Sequence, residues 1–408
     1  MRVIYVSYDG MTDPLGQSQV IPYLAGLSSL GHTITIVSCE KKERFEKQQQ
    51  YIQQLLNKYN IAWHPVPYSR LPSVLSKQFN LSAINKKVQR LCREQKQDII
   101  HCRSYMAALI GLKIKQKYGL KFIFDMRGFW ADERIDGQIW SMKNKIYKRI
   151  YSFFKKKEIA FLDHADYTIS LTENAKKEIH SWKTLKKQPV PIEVIPCCAD
   201  LDLFSPASVD AEKIKQLKAE LHISENNFVI SYLGSIGTWY MLDEMLDFFN
   251  CLLQKNVDAK FLFITPDAPE QILKKAAEKN IPAHKLIIRS ASRMEVPQYL
   301  SLSAISIYFI KPLYSKKASS PTKTAEIMGL GIPIITNTGI GDSDHILGDA
   351  KSGILINNFS EAEYTRAIEQ IDVLLKMDPS KIIEVSRNYF SLDKGIRLYN
   401  SVYQKLQS

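Results

Sequence analysis

The sequence predicts an α/β protein built from two doubly wound, mostly parallel domains. Three observations carry this. At 408 residues the chain is longer than a single hydrophobic core usually supports. Each half repeats the same alternation of short β-branched runs and amphipathic helical stretches, the pattern of a parallel sheet covered on both faces. Between the halves, "PCCADLDLFSP" (196–206) has neither periodicity and reads as a connection. The expected division is residues 1–196, a linker at 197–208 and a second domain at 209–391. A last helix over 392–408 is expected to pack back on the first domain.

The elements follow in order. "VIYVSY" (3–8), "TITIVS" (33–38), "DIIHC" (98–102), "KFIFDM" (121–126), "ADYTISL" (165–171) and "IEVIP" (192–196) read as strands of the first half. Helical spacing covers 18–30, 79–96, 104–118 and 140–162. The second half restarts with "NFVISYL" (227–233), "AKFLFIT" (259–265), "KLIIR" (285–289), "AISIYFI" (304–310) and "IPIIT" (332–336). In the terminal stretch Ile396, Leu398, Tyr399, Val402, Tyr403 and Leu406 recur at helical spacing. Two such sheets are expected to face a cleft at their strand C-terminal ends, where doubly wound folds bind ligands.

Composition narrows the function classes. Residues 1–205 hold 32 Lys and Arg against 19 Asp and Glu, whereas the rest holds 23 of each, so the whole excess of +13 belongs to the first half. One lobe is therefore expected to face an anionic surface. No recognised nucleic-acid motif accompanies the charge, and nucleic acid is not an expected partner. The opening "MRVIYVSYDG" reads as a strand, not a signal peptide, and no run reaches the roughly 18 apolar residues of a membrane span. The six cysteines show no metal-ligand or disulfide spacing and read as reduced thiols.

The stretch "SSPTKTAEIMGLGIPIITN" (319–337) concentrates chemistry. Pro321 suits a helix start, and Gly329 and Gly331 close the helix before the strand. The first amides and dipole of such a helix attract anions, and Lys323 adds a full charge. Glu326, about one turn on, suits the hydroxyls of a ribose. A phosphate beside a diol describes a nucleotide. Ser319 as an ordinary cap, with Lys323 and Glu326 solvated, is the plainer alternative.

The order of these motifs resembles glycosyltransferase family 4, retaining enzymes with two Rossmann-like doubly wound domains (the GT-B fold), here of bacterial surface-polysaccharide type. "VSYDGMTDPLGQSQVIPYLAGLSSLGHTITIVS", "ADYTISLTENAKKEI" with "VIPCCADLDLFSP", "YLGSIGTWYMLDEMLDFF" and the 319–337 stretch carry the resemblance over nearly the full length. It implies that the first domain binds the acceptor and the second the nucleotide-sugar donor. Gly16 would let the backbone approach the donor diphosphate, Ser320, Thr322 and Lys323 would face it, and Glu326 would hold the ribose. Catalytic duty would fall on Arg127, Lys323 and Glu326. No cofactor or metal is required by the family; the donor is a nucleotide-diphosphate sugar.

Three positions depart from the family pattern. Its first glutamate falls on Ala318, its basic pair on Ser235 and Tyr240, and its usual histidine on Arg127, a variant found in a subset of members. Ser235 and Tyr240 stay among the donor-binding candidates by position, and Lys323, with Arg127 or Arg103, is expected to supply the missing positive charge. Arg289, at a strand end, is a candidate for the base. His101 and Arg103 are acceptor-side candidates, with Asp125 expected to orient an arginine. "NTGIGDSDHI" (337–346) is expected near the donor diphosphate; "DLD" (200–202) and "DSD" (342–344) are not expected to bind metal.

Within 140–162, seven basic residues (Lys143, Lys145, Lys148, Arg149, Lys155, Lys156 and Lys157) interleave with aromatic and aliphatic ones. That composition suits an anionic membrane surface. The expected activity is hexosyl transfer to a hydroxyl of a lipid-linked glycan, as in surface-polysaccharide assembly. The expected location is cytoplasmic, peripheral on the inner face of the plasma membrane. A nucleotide-sugar epimerase and a non-catalytic nucleotide-sugar-binding protein are the alternatives.

Overall fold

Apolar runs without alternation form strands here because helices cover both faces of each sheet. The computed structural model describes residues 1–69 and 73–407, with the backbone alone for 73–76. It divides into two compact units, one of Met1–Cys197 with the segment from Leu392 onward, the other of Cys198–Ser391.

The first unit holds β1 (Arg2–Ser7), β2 (Thr33–Glu40), β3 (Ala62–Pro67), β4 (Ile99–Arg103), β5 (Lys121–Asp125), β6 (Tyr167–Ser170) and β7 (Ile192–Val194). They form one parallel sheet in the order β3-β2-β1-β4-β5-β6-β7. Val3 pairs with Ile34 on one side and Ile99 on the other. Strand order reverses between β1 and β4, so a crevice opens at their C-terminal ends.

The second unit repeats the plan with β8 (Val229–Leu233), β9 (Lys260–Ile264), β10 (Leu286–Arg289), β11 (Ile305–Ile307), β12 (Ile334–Asn337) and β13 (Gly353–Ile356). Their order is β10-β9-β8-β11-β12-β13, again all parallel, with the reversal between β8 and β11. Phe248, Phe249, Phe261 and Phe263 are fully buried in its core. Each such side chain contributes about 1.5–3 kcal/mol on leaving water.

Several expected elements differ. Strands β3 and β13 are additional. Pro65 and Pro67 hide the β3 pattern, yet an edge strand tolerates prolines. The helix expected over 18–30 is two, Pro14–Gln19 and Ile21–Ser29, with Pro22 at the start of the second. The helix expected over 140–162 runs Lys145–His164, because the Asn144 side chain accepts from the Ile146 amide at 2.8 Å and caps it. The expected linker is no free tether: Ala199 and Phe204 are buried in the second unit's core.

The last helix, Leu392–Gln407, packs in the first unit against Ile21–Ser29. Gly26 makes room, since a Cβ there would lie 2.3 Å from the Ile396 Cδ1. The helix also brings Tyr399 and Tyr403 to the end of β4 and β5.

Candidate active site

In the second unit the Thr322–Gly329 helix starts after Pro321, and no side chain caps it. Lys323 through Gly329 are all buried. The Lys323 ammonium lies 3.6 Å from the Tyr240 ring centre, 4.2 Å from Tyr232 and 5.6 Å from Tyr308. Tyr232 belongs to β8 and Tyr308 directly follows β11, so the cage occupies the strand-order reversal. Among the described residues Lys323 Nζ has no hydrogen-bond partner. Burial pushes the ammonium well below the ordinary lysine range, against an upward pull from Glu326. A buried, unmatched cation at a switch point is a ready anion site.

The loop after β8 comes close to that cation. Gly234 has φ +110°, and a Cβ on it would stand 3.1 Å from Lys323 Nζ. Ser235 is exposed, and its carbonyl accepts from the Tyr232 hydroxyl at 2.6 Å. Asp267, after β9, holds the loop by accepting from the Ile236 amide. Ser320 and Thr322 are half-buried at the helix start. Ala318, where the resemblance expects a glutamate, is only 2% exposed in the preceding turn. Glu326 Oε1 accepts from Arg293 Nη1 at 2.8 Å, and the Arg293 guanidinium stacks 5.1 Å from the Phe204 ring centre. Arg289 is exposed and donates to the neighbouring Ile288 carbonyl; among the described residues no hydrogen bond or ion pair links it to this cluster. In "NTGIGDSDHI", Asn337 clamps the Ile310 backbone and Asp344 accepts from the Gly339 amide. Asp200 likewise accepts from the Asp202 and Leu203 amides, so both acidic runs stabilise turns.

The first unit gathers His101, Arg103, Asp125 and Arg127 at the ends of β4 and β5. Arg127 is left-handed at φ +57°, an uncommon conformation for a side-chain-bearing residue. Its guanidinium lies 3.8 Å from Asp125 Oδ1 and 3.2 Å from Cys197 Sγ. Asp125 also accepts from the Tyr399 hydroxyl at 3.1 Å, and His101 Nδ1 bonds the Tyr403 hydroxyl at 2.8 Å. Burial raises the Asp125 carboxyl, but Arg127, His101 and Arg103 outweigh it and hold the group ionised. Burial lowers His101, so its ring is neutral near pH 7. His101 is only 1% exposed, a correction to its expected place facing an acceptor; Asp125, equally buried among the acceptor-side candidates, lies beside Arg127, the kind of partner expected for it. His101 lies 3.6 Å from Asp125, which in turn faces Arg127.

Gly16 is a second correction. It lies in the Pro14–Gln19 helix, and a Cβ there would fall 2.3 Å from the Gly10 carbonyl oxygen and 2.7 Å from Met11 Cα. Its hydrogen faces the chain's own loop, leaving no space on that side for a phosphate. Overpacking against rigid backbone costs about 1–3 kcal/mol. Gly16→Ala is therefore expected to lower the unfolding midpoint in urea by a matching amount. An unchanged midpoint would remove this packing role.

The basic set divides. Lys143, Lys145, Lys148, Arg149 and Lys156 are exposed, and Lys157 is half-buried. Lys155 is a third correction: its ammonium binds Asp132 at 2.9 Å and Glu158, over the Trp182 ring. It belongs to the unit's interior network. Beside the exposed cations, Ile139, Met142, Ile146 and Phe153 are 48%, 41%, 62% and 46% exposed. Trp140 and Phe154, by contrast, are buried.

Sequence reasoning missed Glu40, Asp267, Arg293, Tyr399 and Tyr403. Glu40, at the end of β2, is buried and binds the Met11 and Thr12 amides at 2.7 and 3.2 Å, fixing the loop after β1. A carboxylate closing an apolar strand is a readable signal. Tyr399 and Tyr403 share a helix face, but their hydroxyls carry the function there. Nothing local to Arg293 marks it as a partner of Glu326.

Comparison with known proteins agrees with this architecture. The Glycosyltransferase Family 4 model matches residues 16–203, and the Glycosyl transferases group 1 model matches residues 213–379. Alpha-monoglucosyldiacylglycerol synthase of Acholeplasma laidlawii is 19% identical over 352 residues, covering 84% of this chain and 81% of its own. Among solved structures, sucrose-phosphate synthase of Thermosynechococcus elongatus superposes with a TM-score of 0.73 at 13% identity, covering 100% of this chain and 99% of its own. Anabaena Alr3699/HepE, solved with UDP and glucose, gives a TM-score of 0.71 at 12% identity and covers both chains completely.

Proposed function

The chain belongs to the GT-B glycosyltransferases, and from that premise we propose that it moves a sugar from a nucleotide-diphosphate donor to a hydroxyl of a lipid-linked glycan, with retention of configuration. The observation that carries the reading is Lys323. A buried ammonium without a hydrogen-bond partner, at the strand reversal and beside an uncapped helix start, suits a diphosphate. Its position against Gly234 and Tyr240 supports the view that the family's loop cations are replaced here by one cation from the helix.

Glu326 then receives the ribose. Arg293 engages Oε1, so a diol meets Oε2 or displaces the pair. In the transfer, the sugar C1–diphosphate bond breaks and a C1–oxygen bond to the acceptor forms on the same face. The acceptor's proton passes to a departing diphosphate oxygen, and no separate carboxylate base is demanded. Lys323 balances the charge that develops on the leaving group. Arg127, 3.8 Å from Asp125, is a fixed cation of the first unit.

Membrane association is part of the same reading. Support comes from the exposed cations and apolar side chains of 139–156, and from the lipid product named for the Acholeplasma relative. No helix among the described residues is long and apolar enough to cross a membrane.

A panel of nucleotide sugars screened by thermal unfolding tests the donor assignment. A ligand at a hundred times its Kd stabilises by about 2.7 kcal/mol. At least one member is expected to raise the midpoint, and Glu326→Ala is expected to weaken it by about 1.5–3 kcal/mol of lost charged hydrogen bonding. Arg293, left alone, is 41% exposed, so the fold tolerates the change. A panel without any stabilising member would sink the donor assignment; undiminished affinity in the variant would sink the ribose role.

A further inference from the structure

Apart from the clusters above, the first unit contains a cavity of about 480 Å³ at the C-terminal edge of its sheet. Tyr8 follows β1, Tyr68 follows β3, and Ser104 begins the helix after β4; all three line it. Its charges are not matched. Lys41 is paired with Asp13 at 3.0 Å, and Arg44 binds the same carboxylate. Lys77 and Arg134, which also line the cavity, form no ion pair among the described residues. Partial burial of its ammonium lowers Lys77 and the Arg134 charge lowers it further, so the two cations lining the cavity repel one another. The Arg134 guanidinium is steadied on the Trp130 ring, 5.0 Å from its centre. The Ser104–Tyr118 helix begins at the cavity with no side-chain cap, adding the positive end of its dipole. Among the described lining residues Asp9 is the one further carboxylate, and like Lys77 it is exposed to solvent.

Two other surfaces complete the picture. Tyr8 and Tyr68 meet edge to face at 6.2 Å, an apolar wall of the kind that covers the C–H face of a sugar ring. Ile139 lies in the cavity wall and is 48% exposed, and it begins the apolar strip that continues through Met142 and Ile146. An anion site, an aromatic wall and an apolar exit therefore adjoin.

We propose that this cavity receives the linkage of the acceptor, and that the acceptor is a sugar carried through a diphosphate on an apolar chain rather than a neutral glyceride. The inference rests on the transferase reading and names its acceptor class. The diphosphate lies at Lys77 and Arg134, the sugar against Tyr8 and Tyr68, and the carrier leaves over Ile139. Two opposed cations and a helix start gain most from a doubly charged group, which relieves their mutual repulsion.

Calorimetric titration, with UDP present in excess to fill the nucleotide site, tests it using geranyl diphosphate and geraniol as probes. The parent is expected to bind the diphosphate about tenfold or more tightly than the alcohol. Lys77→Gln with Arg134→Gln is expected to lose about tenfold or more of that affinity, and Lys77→Arg with Arg134→Lys to keep most of it. Equal binding of the two probes by the parent overturns the proposal, as does parent-like diphosphate binding by the glutamine double variant. Stabilisation by nucleotide sugars, measured on the same samples, reports the donor reading separately. Its absence alongside retained geranyl diphosphate binding would sink that reading and leave the anion cavity standing.

Discussion

Replacing Lys323 with alanine is expected to lower turnover at saturating donor by about a hundredfold or more, the scale on which a preorganised stabilising group is lost from a water-poor site. The ammonium is enclosed by three tyrosine rings and has no hydrogen-bonding partner among the described residues; Glu326 acts on it without a direct hydrogen bond and leaves its donors open to a leaving diphosphate. Lys323→Arg keeps the charge, but the planar guanidinium is larger than the space between Tyr240 and Gly234, and an intermediate rate is expected. Wild-type turnover in the alanine variant would sink the leaving-group role of Lys323.

The same burial sets a pH dependence. The Lys323 pKa is depressed in the folded, empty protein. Above that pKa the site is neutral, and a bound diphosphate must draw a proton back. Donor affinity is therefore expected to fall as pH rises, and Lys323→Met is expected to abolish that part of the slope. Between the depressed folded pKa and the ordinary lysine range, the unfolded chain holds the extra proton, so this group makes the empty protein more stable as pH rises through that window. A donor affinity independent of pH in the parent would argue against a titrating lysine at the diphosphate.

Reversing Lys145, Lys148, Arg149 and Lys156 to glutamate is expected to abolish binding to anionic vesicles. Each such cation near the surface contributes about 1 kcal/mol, so four amount to roughly a thousandfold in partition. All four are exposed and flank Phe153, whose ring is 46% exposed. Parent binding is expected to be weak on neutral vesicles and to fall with added salt. Activity on a short soluble acceptor is expected to survive, since none of the four belongs to the Lys323 or Arg127 clusters. Lys155→Glu behaves differently: it places a carboxylate against Asp132 and Glu158 and is expected to destabilise the fold instead. Undiminished sedimentation of the quadruple variant with anionic vesicles would falsify the interfacial role.

How far the site was legible follows from where each signal resides. The 319–337 stretch announced its helix, its lysine and its glutamate because Pro321, Gly329 and Gly331 are local punctuation. Periodicity cannot say which way Lys323 points, and the tyrosine cage assembles Tyr232, Tyr240 and Tyr308 from three separate segments. Arg293 reaches Glu326 from 33 residues away, with no pattern to mark it. Gly16 was readable as a glycine that must stay small; what it makes room for was not, since Gly10 approaches it through the fold of the loop.

Two parallel doubly wound sheets and the basic character of the first half were written in local runs and composition, because burial on both faces of a sheet demands continuous apolar segments. Two of the four edge strands escaped: β3 carries prolines, and β13 is short and is held by its pairing with β12. Long-range packing alone made the remaining distinctions. Lys155 and Lys156 are neighbours in sequence, yet one faces two carboxylates and the other faces water. Tyr399 and Tyr403 look like core residues until the terminal helix brings their hydroxyls to Asp125 and His101. A side chain's chemistry is fixed by its type, but its partner is fixed by contacts hundreds of residues apart, which no local pattern encodes.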